Sequence, residues 1–335
     1  SMNPLFGLGQ NLLLALDPEW AHELAVKALE LGLYPRAEGR NDKRLAQRLF
    51  GLNFPNPIGM AAGFDKDARV PGALLAAGLG FVEIGTVTPR PQPGNPRPRV
   101  FRLPRAQAMI NRLGFNNKGV DHLVRRVRRH RFKGVLGINI GKNFDTPIAK
   151  AVDDYLHCLD KVYPCADYVT INISSPNTQN LRDLQGKKEL DRLLAAVTAR
   201  RSELAERHGR HVPLAVKVAP DLEDGQIDAI AEVVVRRGMD AVIATNTTIG
   251  REGVEGLRHA DEAGGLSGAP LKQKADRVLA VLRKALPPHI ALIGVGGITR
   301  GQDAVDKLDL GADLVQFYTG MVYRGPELIA ECLQA

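Results

Sequence analysis

Residues 291–320 read ALIGVGGITRGQDAVDKLDLGADLVQFYTG, and this stretch decides the fold. A short apolar, β-branched run, Ala291–Gly296, leads through a helical segment to a second run, Leu314–Tyr318. Strand, helix, strand at that length is a parallel crossover unit. Each run gives way to small or polar residues at its C-terminal end, Gly296-Gly297 after the first and Thr319-Gly320 after the second.

The same rhythm runs back to about residue 50. Pro57–Gly63, Phe81–Val87, Val135–Gly141, Tyr168–Ser174, Leu214–Val218 and Ala241–Thr245 are runs of the same kind, separated by helical segments. Eight such units predict an α/β fold, a (β/α)8 TIM barrel, and about 280 residues is the right size for one. The rival is an open doubly wound sheet, which announces itself with GxGxxG after its first strand. No run here is followed by that spacing, and Gly294-Val295-Gly296-Gly297 does not match it.

Ahead of the barrel the spacing is helical. Leu5, Leu8, Leu12, Leu13 and Leu16 share one face. Asp17-Pro18-Glu19 reads as a stop and restart, with Asp17 as N-cap and Pro18 in the first helical position. A second stripe of Trp20, Leu24, Ala28 and Leu31 ends near Gly32 and Pro35. The expected division is a two-helix N-terminal extension over 2–40 and a catalytic barrel over 41–335.

Bulk properties narrow the function. A net charge of +8 points to an anionic ligand, nucleic acid or a membrane surface. Nucleic acid is the least favoured, because the chain has no binding motif for it and its aromatics are not interleaved with the basic residues. Cys158, Cys165 and Cys332 are scattered and odd in number, which argues against a disulfide framework, an iron–sulfur cluster or any metal site. Ser1 before Met2 reads as an expression scar. The first basic residue, Lys27, comes too late for a secretory leader, and no apolar run reaches the roughly 20 residues that span a bilayer. The basic run Arg125–Lys133 reads as the solvated end of a barrel helix, with attraction to anionic lipid as the sharper alternative.

The residues at the C-terminal end of each run carry the chemistry. These ends bear Ala61-Ala62-Gly63-Phe64-Asp65-Lys66, then Thr86 and Thr88, then Asn139 and Lys142, then Asn172, Ser174, Ser175 and Asn177. Lys217, Thr245-Asn246-Thr247, Gly296-Gly297 and Tyr318-Thr319 complete the set. In a barrel all of these face one mouth. The glycines after runs seven and eight, with Gly264–Gly268 as a loop adding further amides, suit a phosphate. Lys66 and Lys217 need anionic partners: one suits a reduced isoalloxazine, the other a substrate carboxylate. Asn111, Asn172, Asn177 and Asn246 offer mixed donors and acceptors for a ring bearing N–H and C=O groups. No paired carboxylate or His sits at a strand end, so a redox cofactor has to supply the reactivity.

At these residues the chain resembles the dihydroorotate dehydrogenases, specifically the membrane-associated, quinone-reducing class (class 2). The resemblance covers nearly the whole chain. It rests on Ala61–Lys66, Glu83–Arg90, Asn111–Asn117, Asn172–Thr178 and Ile293–Ile298, five motifs in the family's order. It implies FMN held by Ala62, Gly63, Lys66, Thr86, Asn139, Asn172, Lys217, Thr245, Gly268, Gly297, Tyr318 and Thr319. It implies substrate contacts at Lys66, Asn111, Arg112, Leu113, Gly114, Phe115, Asn172, Asn177, Asn246 and Thr247. Ser175 falls at the catalytic-base position, where the soluble class carries Cys, with Thr178 and Phe115 beside it in the catalytic set. His22, Arg102 and Tyr318 fall at the polar end of a quinone tunnel formed by the leading helices. Phe64 stands where an aliphatic residue is frequent and Thr319 where Ser is frequent; neither removes a needed donor. The implied protein oxidises (S)-dihydroorotate to orotate in pyrimidine (UMP) biosynthesis. It is expected to be a monomer, peripheral on the cytoplasmic face of a bacterial inner membrane.

Three rivals remain: a soluble-class flavin barrel using fumarate or a nicotinamide, a non-redox phosphate-binding isomerase, and a basic surface-binding protein on an inert barrel. Ser175 and the leading helices oppose the first, and the polar strand ends oppose the last.

Overall fold

A computed structural model describes residues 4–33, 42–130 and 133–335. Helix α1 spans Pro4–Ala15 and α2 spans Pro18–Glu30. Between them the Asp17 side chain accepts from Trp20 N (3.2 Å), the expected cap, with Pro18 opening the helix. The chain then turns at Gly32 (φ +76°), whereas Pro35 and the expected 40/41 boundary lie outside the described residues. The face of α2 that packs inward carries Ala21, Val26 and Leu29. The large residues of the expected stripe point out, Trp20 being 62% and Leu31 74% exposed.

Among the described residues, eight parallel strands close a barrel. They are β1 Ile58–Met60, β2 Phe81–Val87, β3 Val135–Ile140, β4 Tyr168–Asn172, β5 Leu214–Val218, β6 Ala241–Ala244, β7 Ala291–Val295 and β8 Leu314–Phe317. Each pairs with its sequence neighbour, and β8 returns to β1 through Val315–Ile58, Gln316–Gly59 and Phe317–Met60. Helices α3 Pro71–Ala76, α4 Val120–Arg129, α5 Ala151–Val162, α6 Lys187–His208, α7 Asp224–Arg237, α8 Lys272–Ala285 and α9 Gly301–Asp309 follow the first seven strands in turn, and α10 Thr319–Arg324 and α11 Glu327–Gln334 end the chain.

Both faces of every barrel strand are buried, which is why the strands read as continuous apolar runs. Outward residues such as Ile84, Ile138, Val169 and Val216 pack on helix residues including Leu123, Leu159, Leu193 and Leu279. Burying each such side chain stabilises by roughly 1.5–3 kcal/mol. Inside, Phe81 and Tyr168 fill the lower barrel, and the neighbouring strands make room with glycine. A Cβ on Gly59 would fall 2.4 Å from the Phe81 ring, and one on Gly137 would fall 2.1 Å from the Tyr168 ring. A hairpin of Gln47–Leu49 and Leu52–Phe54 closes this end, with Phe54 edge-on to Phe81 at 5.5 Å.

Three further strands form an antiparallel sheet beside the opposite, C-terminal end: Val100–Leu103, Ala108–Asn111 and Gly265–Gly268. This corrects the reading of Gly264–Gly268 as a loop. Its Gly265 pairs with Asn111 and its Gly268 with Ala108. The basic run lies on α4, where Arg125, Arg128 and Arg129 are exposed and Leu123, Val124 and Val127 are buried; Arg131 and Phe132 lie outside the described residues.

Candidate active site

Period-two alternation carries the barrel interior from apolar to polar along each strand. On β2 it passes from Phe81 to Glu83, and on β4 from Tyr168 through Thr170 to Asn172. Glu83 is fully buried and accepts from Asn139 Nδ2 (2.9 Å), Tyr168 OH (2.7 Å) and Gln316 Nε2 (3.1 Å). Asn139 in turn accepts from Thr86 Oγ1 (2.7 Å), and that hydroxyl accepts from Asn172 Nδ2 (3.2 Å). A buried carboxylate thus sets the direction of a hydrogen-bond chain that ends at the mouth. Lys217, on β5, has no hydrogen-bond or ion-pair partner among the described residues. Burial pushes its amine pKa down, and the Glu83 charge opposes that.

Ser175 follows β4 and is 6% exposed; its hydroxyl accepts from Asn177 N (3.2 Å). Asn177 Nδ2 donates to Asn111 Oδ1 (3.1 Å), joining this loop to the antiparallel sheet. Asn246 Nδ2 donates to Ser174 Oγ (3.1 Å), joining it to the end of β6. Phe115 is held at φ +57°, a backbone cost of about 1–3 kcal/mol for a residue of this size. Its ring lies against Gly141, where a Cβ would approach it to 2.9 Å.

Around the mouth the structure brings together Ala62, Gly63, Lys66, Thr86, Asn111, Leu113, Gly114, Phe115, Asn172, Ser175, Asn177, Lys217, Thr245, Asn246, Thr247, Gly268, Gly297, Tyr318 and Thr319. Of the residues expected to hold cofactor or substrate or to act in catalysis, three stand off it. Asn139 lies beneath Thr86. Thr178 is buried in the Ser175 loop without lining the mouth. Arg112 turns its guanidinium away, to Glu262 (2.8 Å) and over the Phe101 ring (4.8 Å). Lys142 and Thr88 also turn from the mouth: the Lys142 amine donates to Asn143 O and Thr146 O, and the Thr88 hydroxyl to Arg90 O. Sequence reading missed Val100, Met109 and Leu271 in the lining and gave Ser267 only a backbone role. Ser267 stands within the glycine-rich segment and shares a 2.7 Å hydrogen bond with Thr319.

The donor set has the chemistry to hold a flavin. An unpartnered buried amine and several amide side chains suit a flat ring of N–H and C=O groups. Hydroxyls and glycine backbone at Gly268, Gly297 and Thr319 suit a phosphate. The glycines also answer to packing: a Cβ on Gly297 would fall 2.4 Å from Lys272 Cβ, and one on Gly268 would fall 2.2 Å from Gln107 O.

A second cavity, about 1180 Å³, lies between α1, α2 and the barrel; leucines of both helices line it together with charged side chains such as Glu19, Arg97 and Arg99. It shares Lys66, Val100, Met109, Leu113 and Tyr318 with the mouth. His22 and Arg102 line it too. His22 Nε2 hydrogen-bonds Phe64 O (2.8 Å), and burial, with Lys66 nearby, lowers its pKa to about 4. Arg102 donates to the carbonyls of Leu13 and Leu14 at the end of α1.

A closed β/α barrel whose mouth joins amides, a serine and an unpaired lysine, beside a second large chamber, is an enzyme scaffold with room for a bound cofactor. The dihydroorotate dehydrogenase family matches residues 44–335, and the chain belongs to that family. It is 57% identical over 334 residues to a protein of Azotobacter vinelandii named dihydroorotate dehydrogenase (quinone), covering 99% of this chain and 96% of that one. It is 54% identical to one of the same name from Ralstonia nicotianae, covering 100% and 99%. The crystal structure of Eimeria tenella DHODH in complex with ferulenol superposes with a TM-score of 0.90 at 39% identity, covering 95% of this chain and 90% of that one.

Proposed function

We propose that this chain is an FMN-dependent dihydroorotate dehydrogenase (quinone), oxidising (S)-dihydroorotate to orotate in de novo pyrimidine (UMP) biosynthesis. The observation that carries the reading is the shared wall: one cavity is the barrel mouth with its amides, serine and lysines, the other runs beneath the leading helices, and Tyr318 lines both.

FMN would be held by Ala62, Gly63, Lys66, Thr86, Asn172, Lys217, Thr245, Gly268, Gly297, Tyr318 and Thr319, with Asn139 supporting Thr86. The chemistry FMN would supply there is two-electron redox: uptake of the hydride equivalent from substrate C6 and release of two electrons to the quinone, which with two protons gives the quinol. Lys66 faces the substrate carboxylate. Asn111, Asn172, Asn177, Asn246 and Thr247 meet the ring's amide edges, Leu113, Gly114 and Phe115 close over it, and Arg112 braces that loop through Glu262. Ser175 Oγ takes the C5 proton, leaving C5=C6 in orotate. Serine is a weak base: the Asn177 N–H on its oxygen stabilises the alkoxide and so helps the hydroxyl release its own proton, while burial away from water keeps that alkoxide basic enough to take the proton from C5. Thr178 passes the proton on toward solvent. Lys217 offsets negative charge in the cofactor pocket.

His22, Arg102 and Tyr318 give the second chamber a polar end suited to a quinone head. The exposed leucines of α1 and α2 and Trp20 suit the interface of a bilayer, while no helix among the described residues is long and apolar enough to cross one. The reading is of a monomeric peripheral protein on the cytoplasmic face of a bacterial inner membrane, with 2–40 as the access extension and 41–335 as the catalytic barrel. Ser175→Ala tests the chemical core. Flavin reduction by dihydroorotate should slow by about 10²–10⁴ while reoxidation by quinone is unchanged; reduction at the wild-type rate would remove Ser175 from the mechanism.

A further inference from the structure

Arg182 lies in the short turn Leu181–Gln185, beyond the Ser175 loop, and does not line the mouth. Its guanidinium nonetheless reaches three strand-end segments at once. Nε donates to Ser174 O (2.8 Å) after β4, Nη1 to Asp221 (2.9 Å) after β5, and Nη2 to Thr247 O (2.6 Å) after β6. Asp221 strengthens the tie by accepting from Thr248 Oγ1 (2.5 Å) and Ile249 N (3.0 Å). In the same turn Gln185 Oε1 accepts from Ala219 N (2.9 Å), two residues past Lys217. The ion pair is largely shielded, its side chains 20% and 17% exposed.

We infer that Arg182, braced by Asp221, is a positioning residue that fixes the proton-accepting Ser175 relative to the substrate-facing Asn246–Thr247 segment. The inference rests on Ser175 being the base. The Ser174 carbonyl belongs to the planar peptide that carries Ser175, so holding its direction fixes where the Ser175 Cα–Cβ bond starts. The Thr247 carbonyl does the same for the segment facing the other side of the substrate. Only a planar fork with donors on three nitrogens serves both carbonyls and a carboxylate together; a lysine amine is a point donor and cannot span them. A mere staple for the loop would matter to stability alone. A positioning residue matters to the step whose rate depends on tenths of an ångström between the reacting groups.

The test uses flavin-loaded full-length protein and separates the half-reactions by stopped flow. In Arg182→Gln, reduction by dihydroorotate should slow on the order of 10²-fold, with a larger isotope effect from deuterium at C5. Reoxidation by a soluble quinone and the flavin spectrum should stay as in wild type. Arg182→Lys should resemble Arg182→Gln more than wild type, and Asp221→Asn should show a smaller loss of the same kind. If Arg182→Gln fails to fold, the other two variants carry the same reading. Reduction close to the wild-type rate in these variants, or both half-reactions falling in step with flavin content, would overturn the assignment. Ser175→Ala run beside them separates the two ideas. If it reduces normally, the base assignment fails; if it alone is slow, only the role of Arg182 fails.

Discussion

The imidazole of His22 on α2 stacks on the ring of Tyr318 at the end of β8, with centroids 6.1 Å apart and planes 14° from parallel. The same imidazole meets Phe64 edge-on at 5.0 Å. The extension is therefore built into the wall of the barrel mouth.

Burial, with Lys66 adding to it, holds the His22 pKa near 4, below its ordinary 6.5, so the ring is neutral at neutral pH. Quinone reoxidation should then show no His22 titration between pH 6 and 8, and His22→Ala should slow reoxidation while sparing reduction. Between the two pKa values the unfolded chain binds more protons than the folded one. This contribution to stability is intact above 6.5 and is lost progressively as pH falls toward 4. Acid denaturation of His22→Gln, shallower than wild type across that window, checks it.

Burial first, and then the Arg99 charge, depress the Lys66 amine to about 8. Its positive charge is lost as pH rises through that value, so substrate capture should weaken there. A profile of kcat/KM for dihydroorotate should show an alkaline limb near pH 8 that Lys66→Met abolishes along with most of the affinity. A limb that survives in the variant would assign the titration to another group.

Glu83→Leu would strand three buried donors, on Asn139, Tyr168 and Gln316. Each costs roughly 1–3 kcal/mol unpaired. Urea unfolding should show a loss of at least about 3 kcal/mol, with weaker flavin retention because Thr86 and Asn172 lose their anchor and Lys217 its opposite charge. Stability equal to wild type would mean that the network is not held by this carboxylate.

Trp20 is the only tryptophan in the chain and is 62% exposed on α2. Its emission should move to the blue when anionic phospholipid vesicles are added. If Arg125, Arg128 and Arg129 also meet the lipid, reversing their charges should weaken binding and salt should do the same. Emission indifferent to vesicles would deny the helices their place at a bilayer.

The barrel was legible because strands buried on both faces leave unbroken apolar runs, and all eight runs in the sequence became barrel strands. The antiparallel sheet was not. Val100–Leu103 alternates with an arginine, and Gly265–Gly268 carries two glycines, so pairing register rather than composition makes them strands. Helical spacing placed Trp20, Leu24 and Leu31 on one face but is silent on whether that face meets protein or solvent. In the site, residues at strand ends were found because topology aims them. Glu83 was legible in principle from its parity with Phe81. Arg182 was not, because its partners Asp221 and Thr247 lie 39 and 65 residues away in the chain.

The most direct measurement is the visible spectrum of the purified protein, recorded anaerobically as dihydroorotate and then a soluble quinone are added. The expected result is a yellow protein that bleaches with dihydroorotate and recovers its colour with quinone. A protein that binds no FMN on reconstitution, or whose flavin is indifferent to dihydroorotate, would contradict the proposed reaction.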